Sequence, residues 1–490
     1  MSAPGPVRGP DLGAAVNSNP RWVLALTSVA SLMVGLDILV VTTALTTIHL
    51  KLGASLGELE WIINAYTLSF AVLLMTASAL GDRFGRRRLF LAGLGLFTVM
   101  SAACALAPSI GWLIAARAVQ GVGSAMIMPH AMALLSAAYA PEKRAKALGI
   151  FSSVTGLAVL GGPMIGGVVV QGLDWPWIFW LNVPIGLVLI PLAARKIGES
   201  RGRPARFDAG GVVLVTAAAL GLVWSLVRGN TAGWTSPEVL GALAGGVAAL
   251  AGFIAWERRA PEPMLPLRLF RSRAFTAGNA AGFGMYAGIF GAAFFLAQLL
   301  QLDWHYGPLG AGLRLAPWTV TLTLVAPVAG ALVPRIGERP LIAAGLTLQA
   351  AGFVWVALVV RDQLGYAAIV APLVLAGCGV SLAMPAAQNC VIGAVPPADL
   401  GKASGTFNTL RQLGGTFGIA ILAAVFSGAG SYASARTFGA GFVPTAEVAA
   451  GLSLAGAAAG ALVPSRRRPP ADPARVATPA PDLRTMSETK

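Results

Sequence analysis

The feature that most constrains this chain is a series of fourteen apolar runs, each close to the about 20 residues that an α-helix needs to cross a roughly 30 Å hydrocarbon core. They fall at residues 22–48, 59–80, 89–107, 110–138, 145–170 and 177–196. The rest are at 209–228, 238–256, 274–300, 308–333, 340–360, 366–393, 402–427 and 445–463. Lipid offers no partner for backbone N–H and C=O groups, so each run is read as a helix, spans one to fourteen. A chain of 490 residues that is 56% hydrophobic and 11% charged is too apolar for a soluble domain. The expected fold class is therefore an all-α membrane protein, and an even number of spans puts both termini on one side. The first run is too long for the core of a cleaved signal, so it is read as a span that stays.

Charge sets the orientation. Of the 35 Lys and Arg, 28 lie in the loops, tails and span ends on the side of the termini, including Arg83 to Arg88, Lys143 to Lys146, Arg195 to Arg206 and Arg258 to Arg273. Lys51, Arg228, Arg361 and Arg436 lie on the other side, and Arg117, Arg314 and Arg411 lie within spans. The positive-inside rule makes the termini cytoplasmic, in a multi-pass protein of the inner (cytoplasmic) membrane. The net charge of +15 is thus a topological signal, and no nucleic-acid partner is expected. Cys104, Cys378 and Cys390 all sit in apolar runs without metal-ligand or disulfide spacing, so no metal is expected. Three scattered histidines and a single deep carboxylate supply neither a nucleophile with its base nor a metal cluster, which argues against an enzyme.

An internal repeat fixes the architecture further. Residues 79–93 align without gaps with 331–345, both marked by Arg and Gly in the loop. Gly121, Gly123, Met128 and Pro129 recur as Gly377, Gly379, Met384 and Pro385. Spans two to five therefore return as ten to thirteen in the same orientation, with two helices inserted between two six-helix halves. The resulting plan has an N-terminal cytoplasmic tail at 1–21 and a six-helix bundle at 22–197. Two inserted spans at 198–257, a linker at 258–273, a second six-helix bundle at 274–463 and a disordered tail at 464–490 complete it.

Four stretches carry chemistry. Gly81-Asp82-Arg83-Phe84-Gly85-Arg86-Arg87-Arg88 forms the loop between spans two and three. Arg117 to Ala125, with Gln120 inside it, places a guanidinium within span four, where burial is costly unless it faces water or a carboxylate, or snorkels to the near end. Span five carries Gly156, Gly161, Gly162, Pro163, Gly166 and Gly167, and the Trp175 to Gly186 stretch follows. Gly162 and Gly166 lie four apart on one face, which suits close helix packing of general or specific purpose. Span one holds Asp37, the one carboxylate found deep in any span; Glu58 and Glu60 sit at the outer start of span two and Glu447 at the edge of span fourteen. Low dielectric disfavours the charged form of a carboxylate, the property a reversible proton carrier needs. At 1.5 Å per residue Asp37 and Arg117 lie at similar depth, roughly 12–17 Å from the outer ends, so they can pair. Such a pair serves proton coupling or structure alone.

These motifs resemble those of the fourteen-span drug:proton antiporters of the major facilitator superfamily, over nearly everything between Arg21 and Pro464. Thr42-Thr43 departs from the Asn-Val usual in the first-span motif. The resemblance implies a major facilitator fold and no cofactor, the proton gradient supplying the energy. It also implies export of small hydrophobic or cationic organic compounds from a monomer in the bilayer, or of one metabolite or peptide. It gives Gly81, Asp82, Arg83, Gly85, Arg86 and Arg87 the role of an inside gate between the bundles, and Asp37 and Arg117 that of proton coupling. The span-five glycines and Pro163 match the motif associated with antiport. Arg314, Arg411, Asn408 and Gln120 are cavity candidates, with Gln412, Gln298, Gln301, Asn389 and His130 as weaker ones; Arg314 and Arg411 are near enough to span ends to snorkel, and His130 beside Pro129 suits helix packing better than a proton relay.

Overall fold

The computed structural model describes residues 19–201, 208–396 and 399–464. Most of the two tails expected at 1–21 and 464–490, together with Arg203 and Arg206, lies outside the described residues. Fourteen helices among these residues are long and apolar enough to cross a membrane. Spans one to five are Pro20–Leu52, Leu56–Phe84, Arg86–Ala105, Ile110–Ala138 and Pro141–Gly172. Span six is broken at Leu181 into Trp177–Trp180 and Asn182–Lys196. Spans seven to nine are Ala209–Ala232, Pro237–Glu257 and Arg273–Leu302. Span ten is broken at Leu315 into Pro308–Arg314 and Ala316–Ile336. Glu338–Arg361, Tyr366–Gly393, Leu400–Ala429 and Ala435–Ala461 complete the set.

Polar caps set many of the starts. Asn19, Ser55, Ser109, Asp208, Ser236, Ser272 and Ser434 each accept a first-turn amide. The last of these moves a boundary: span fourteen begins at Ala435, ten residues before the apolar run that suggested it. A reciprocal Ser434 and Thr437 capping box starts the helix, so Arg436 lies in its first turn and Glu447 near its middle, paired with Arg361 at 2.5 Å. A hydropathy run does not register a cap.

Spans one to six pack among themselves, as do nine to fourteen; spans seven and eight pair with each other, and span seven lies beside spans two and thirteen. The repeat is reproduced in the contacts. A Cβ on Gly123 would meet the Phe97 amide at 2.9 Å and the Gly93 carbonyl at 3.0 Å, and one on Gly379 would meet their repeat equivalents, the Gln349 amide and the Gly345 carbonyl. Gly85 and Gly337, 252 positions apart, break the chain between spans two and three and between ten and eleven at φ +114° and +93°, which glycine adopts without strain. Each half thus closes its third and fourth helices on the same backbone contact. Leu240, Leu243, Val247, Leu250 and Ile254 of span eight stay exposed, an apolar surface suited to lipid.

The two halves meet along a seam. From the middle of the molecule towards the arginine-poor end it is pinned by a Thr67 to Thr416 hydroxyl pair at 2.8 Å and by Gln301 Nε2 donating to the Thr43 carbonyl at 3.1 Å. The Leu309 amide donates to Gln171 Oε1 at 3.2 Å. Span seven adds a tie, since Asn230 Nδ2 donates to the Ala424 carbonyl and to Ser427 Oγ of span thirteen.

Candidate functional site

Asp37 and Arg117 meet inside the first half. Arg117 Nη1 donates to Asp37 Oδ2 and to Gln120 Oε1 at 2.8 Å, while its Nε donates to the Ile62 carbonyl at 3.2 Å. Asp37 Oδ1 accepts from Gln120 Nε2 at 3.0 Å and Asn182 Nδ2 at 2.9 Å. Gln120 Nε2 also donates to Ser101 Oγ at 2.9 Å. The guanidinium lies 4.1 Å from the centroid of the Tyr66 ring, whose hydroxyl is fixed by Ser124 Oγ at 2.6 Å. Spans one, two, three, four and six therefore converge on one carboxylate. Asp37 is 3% exposed and Arg117 0%, so the pair is sealed within the bundle and Arg117 does not snorkel.

Asn182 lies in the Trp175 to Gly186 stretch, where the sequence assigns it no role, and its position explains the break in span six. The turn at Leu181 brings Asn182 to the start of the inner helix segment, 5% exposed and aimed at Asp37. A polar amide two residues before Pro184 in an otherwise apolar run was the available signal.

The loop between spans two and three ties together elements of the first half. Arg86 Nε donates to Asp82 Oδ1 at 2.8 Å. The Arg87 amide donates to Glu199 Oε1 at 2.9 Å, and its Nη1 donates to the Ile197 carbonyl at 3.1 Å. Arg83 is exposed and packs over Phe84. A Cβ on Gly85 would meet the Glu199 carboxylate at 2.7 Å, and one on Gly81 would overlap the His130 ring. In this conformation the loop belts spans two, three and six, and the partners of Asp82, Arg86 and Arg87 among the described residues come from the first half of the chain.

Span five uses two faces. Gly162 and Gly166 pack on span one, where Cβ atoms would meet Leu39 Cβ at 2.5 Å and the Val40 carbonyl at 2.9 Å. A Cβ on Gly167 would meet the Pro308 carbonyl at 2.5 Å across the seam, and the Pro163 carbonyl lies against Gly312 of span ten. Gly156 has open space beside it, and a Cβ on Gly161 would meet Ile165 Cδ1 of its own helix at 3.3 Å and Leu36 Cδ2 of span one at 3.8 Å.

The cavity candidates separate. Gln120 belongs to the Asp37 cluster. Arg314 stacks over Tyr306 at 3.5 Å and Tyr366 at 5.1 Å at the arginine-poor end of the second half. Arg411 lies 5.3 Å from the Tyr286 ring of span nine, and Asn408 donates to the Ser404 carbonyl of its own helix at 2.9 Å. His130 Nδ1 lies 2.5 Å from the Met126 carbonyl. Gln298 accepts from the Tyr432 hydroxyl at 2.5 Å.

The family model described as Major Facilitator Superfamily matches residues 27–419 and 279–481. Among similar proteins, the tetracenomycin C resistance and export protein of Streptomyces glaucescens is 35% identical over 411 residues, 84% of this chain and 76% of its own. A cephamycin export protein of Amycolatopsis lactamdurans is 37% identical over 85% of this chain and 87% of its own. A multidrug resistance protein of Mycobacterium tuberculosis is 34% identical over 84% and 77%. Among solved structures, a peptide transporter of the POT family in complex with sulfate superposes with a TM-score of 0.68 at 16% identity, covering 91% of this chain and 98% of its own, a likeness of fold. Fourteen spans, a repeated two-half architecture and these relatives agree: the chain belongs to the major facilitator superfamily.

Proposed function

We propose that this protein is a proton-coupled antiporter that exports small hydrophobic or cationic organic compounds across the cytoplasmic membrane. It works as a monomer by alternating access, with both termini in the cytoplasm, no cofactor and no catalytic chemistry. The observation that carries the reading is the sealed Asp37 and Arg117 pair. Three donors occupy the two carboxylate oxygens, so a proton arriving on either oxygen displaces a donor and loosens spans four or six from span one. Each such bond to an ionised group is worth about 1.5–3 kcal/mol, enough to shift a two-state equilibrium by a factor of ten or more. Because the pair is sealed, Asp37 acts on helix packing and does not touch substrate in this conformation. The belt around Asp82, Arg86 and Glu199 serves as the inside gate, and the contacts that pin the seam towards the arginine-poor end support a cytoplasm-facing state. The resistance and export proteins among the relatives support the direction of transport.

A dedicated exporter of one self-made compound is the second reading, favoured by relatives named for single antibiotics. A panel of cationic, neutral and anionic compounds separates the two. The central test is Asp37→Asn in proteoliposomes with an imposed pH gradient and a lipophilic cationic dye. Gradient-driven dye movement is expected to fall to the level of empty vesicles. The variant leaves Arg117 buried without its counter-charge, so Asp37→Asn/Arg117→Met is made beside it to recover stability without recovering coupling. A stable Asp37→Asn protein that still pumps along the gradient sinks the reading.

A further inference from the structure

Glu60 is a second carboxylate that the structure takes out of water. It lies one turn into span two from the arginine-poor end and is 3% exposed. Its Oε2 has no hydrogen-bond partner, and neither Oδ1 nor Nδ2 of Asn64, fully buried one turn further in, has one. Glu60, Asn64 and Thr67 share one stripe of the helix at i, i+4 and i+7. Since Thr67 meets Thr416 of span thirteen, that stripe points across the seam.

The titratable group facing it is Tyr432, in the turn after span thirteen, close enough to feel the Glu60 charge. The Tyr432 hydroxyl donates to Gln298 of span nine at 2.5 Å, and its ring lies 5.0 Å from that of His49 on span one. His49 Nδ1 is engaged by the Ala54 carbonyl at 2.6 Å. Other charges on the elements around span two are committed elsewhere. Arg117 of span four holds Asp37, Arg228 of span seven pairs with Glu238 at 3.0 Å, and Lys51 at the end of span one pairs with Asp174 at 2.6 Å. Cys104 of span three donates to Gln120, and Arg411 and Lys402 of span thirteen lie towards the opposite end. Among the described residues no ion pair includes Glu60.

An ionised carboxylate sealed at a protein interface without a counter-charge or a full set of donors is costly, whereas the neutral acid needs only an amide such as that of Asn64. We propose that Glu60 is a proton-operated latch on the seam, distinct from Asp37: protonated, it is held in the closed arginine-poor end, and ionised, it drives that end open and becomes hydrated. The sign follows. Acid favours the closed seam, alkali the open one. A proton bound from the side of the arginine-poor end closes the seam over the acid, and opening returns that proton to the same side. The latch sets the balance between states and carries no net charge across the membrane. This rests on the alternating-access reading, so its test uses distances and not transport.

The full-length chain, with Cys104, Cys378 and Cys390 replaced by serine or alanine, is spin-labelled at Leu50→Cys and Ala433→Cys, exposed positions on opposite sides of the seam. Distances are measured in nanodiscs from pH 5 to 9, without substrate and then with a lipophilic cationic dye. The parent is expected to shift from a short to a long distance as pH rises. Glu60→Gln, and Glu60→Met as a second neutral variant, are expected to stay short throughout, with the open fraction at pH 9 cut at least tenfold. A pH response retained in Glu60→Gln overturns the latch, and one lost instead in His49→Gln or Asp37→Asn reassigns it. A parent that moves with dye but not with pH overturns the latch alone. A parent that moves with neither overturns the rocking reading as well.

Discussion

Arg117 is held by more than charge. Its guanidinium spreads bonds over Asp37, Gln120 and the Ile62 carbonyl and lies over the Tyr66 ring, a set that suits a planar fork. Lysine keeps the charge and gives up the fork. Arg117→Lys is therefore expected to keep Asp37 paired while losing bonds worth about 1–3 kcal/mol. Arg117→Met strands a buried carboxylate at about 3–5 kcal/mol. Thermal melting in detergent should rank the parent above Arg117→Lys and Arg117→Lys above Arg117→Met, with gradient-driven efflux reduced at least tenfold in both variants. Equal melting of Arg117→Met and the parent contradicts a structural share for the pair. The pairing itself was legible, because one deep Asp and one deep Arg at similar depth have few other partners in an apolar chain. Asn182 and Tyr66 were not, since a single amide or phenol in a span acquires meaning only when the helix break and the neighbouring span aim it.

Span five shows how one helix serves two interfaces. Gly162 and Gly166 let span one approach within its own half, whereas Gly167 and Pro163 lie against span ten across the seam. A valine at Gly162 has to displace Leu39 in a packed bundle, an overpacking cost of about 1–3 kcal/mol that melting will register. A valine at Gly167 meets backbone of Pro308 and Leu309, which belongs to the other half and can move away as a body. Gly167→Val is thus expected to leave the melting temperature within a degree or two of the parent and to hold the seam open. Thiol alkylation of Leu309→Cys should then be faster by at least fivefold. Slow alkylation with a lowered melting temperature assigns Gly167 to the fold and not to the moving interface. Glycine spacing was visible in the sequence, but which face meets which helix was not, because i and i+4 periodicity specifies a stripe and never its partner. The same limit hid the breaks at Leu181 and Leu315, where prolines two or three residues later, Pro184 and Pro317, start new helix segments inside unbroken apolar runs.

For the molecule as a whole, the repeat was the most readable feature, because it is written in glycines whose missing side chains both halves use for the same backbone contacts. The inserted pair was readable by length alone, and its attachment came only from the fold: Trp224 of span seven lies 5.8 Å from Trp61 of span two, and Asn230 bonds span thirteen. The pair therefore bridges both halves at the arginine-poor end, which demands that Asn230 emerge on the side opposite Arg273. Orientation rests on charge. Arg83, Arg86, Arg87, Arg88, Lys143 and Arg144 gather in short loops at one end, while two of the basic residues at the other end, Lys51 and Arg228, are neutralised by Asp174 and Glu238. Short-loop Lys and Arg resist translocation, so the arginine-rich end is expected to remain in the cytoplasm. Reporter fusions truncated after Arg273 should then be active only with a cytoplasmic reporter, and fusions after Asn230 only with an exported one. A cytoplasmic signal at Asn230 is incompatible with spans seven and eight both crossing, and would require the Asn230 contact with span thirteen to be absent in the membrane. Exported activity at Arg273 together with cytoplasmic activity at Asn230 would invert the whole molecule, placing the Asp82 belt outside and reversing the direction of every proton step proposed for Asp37.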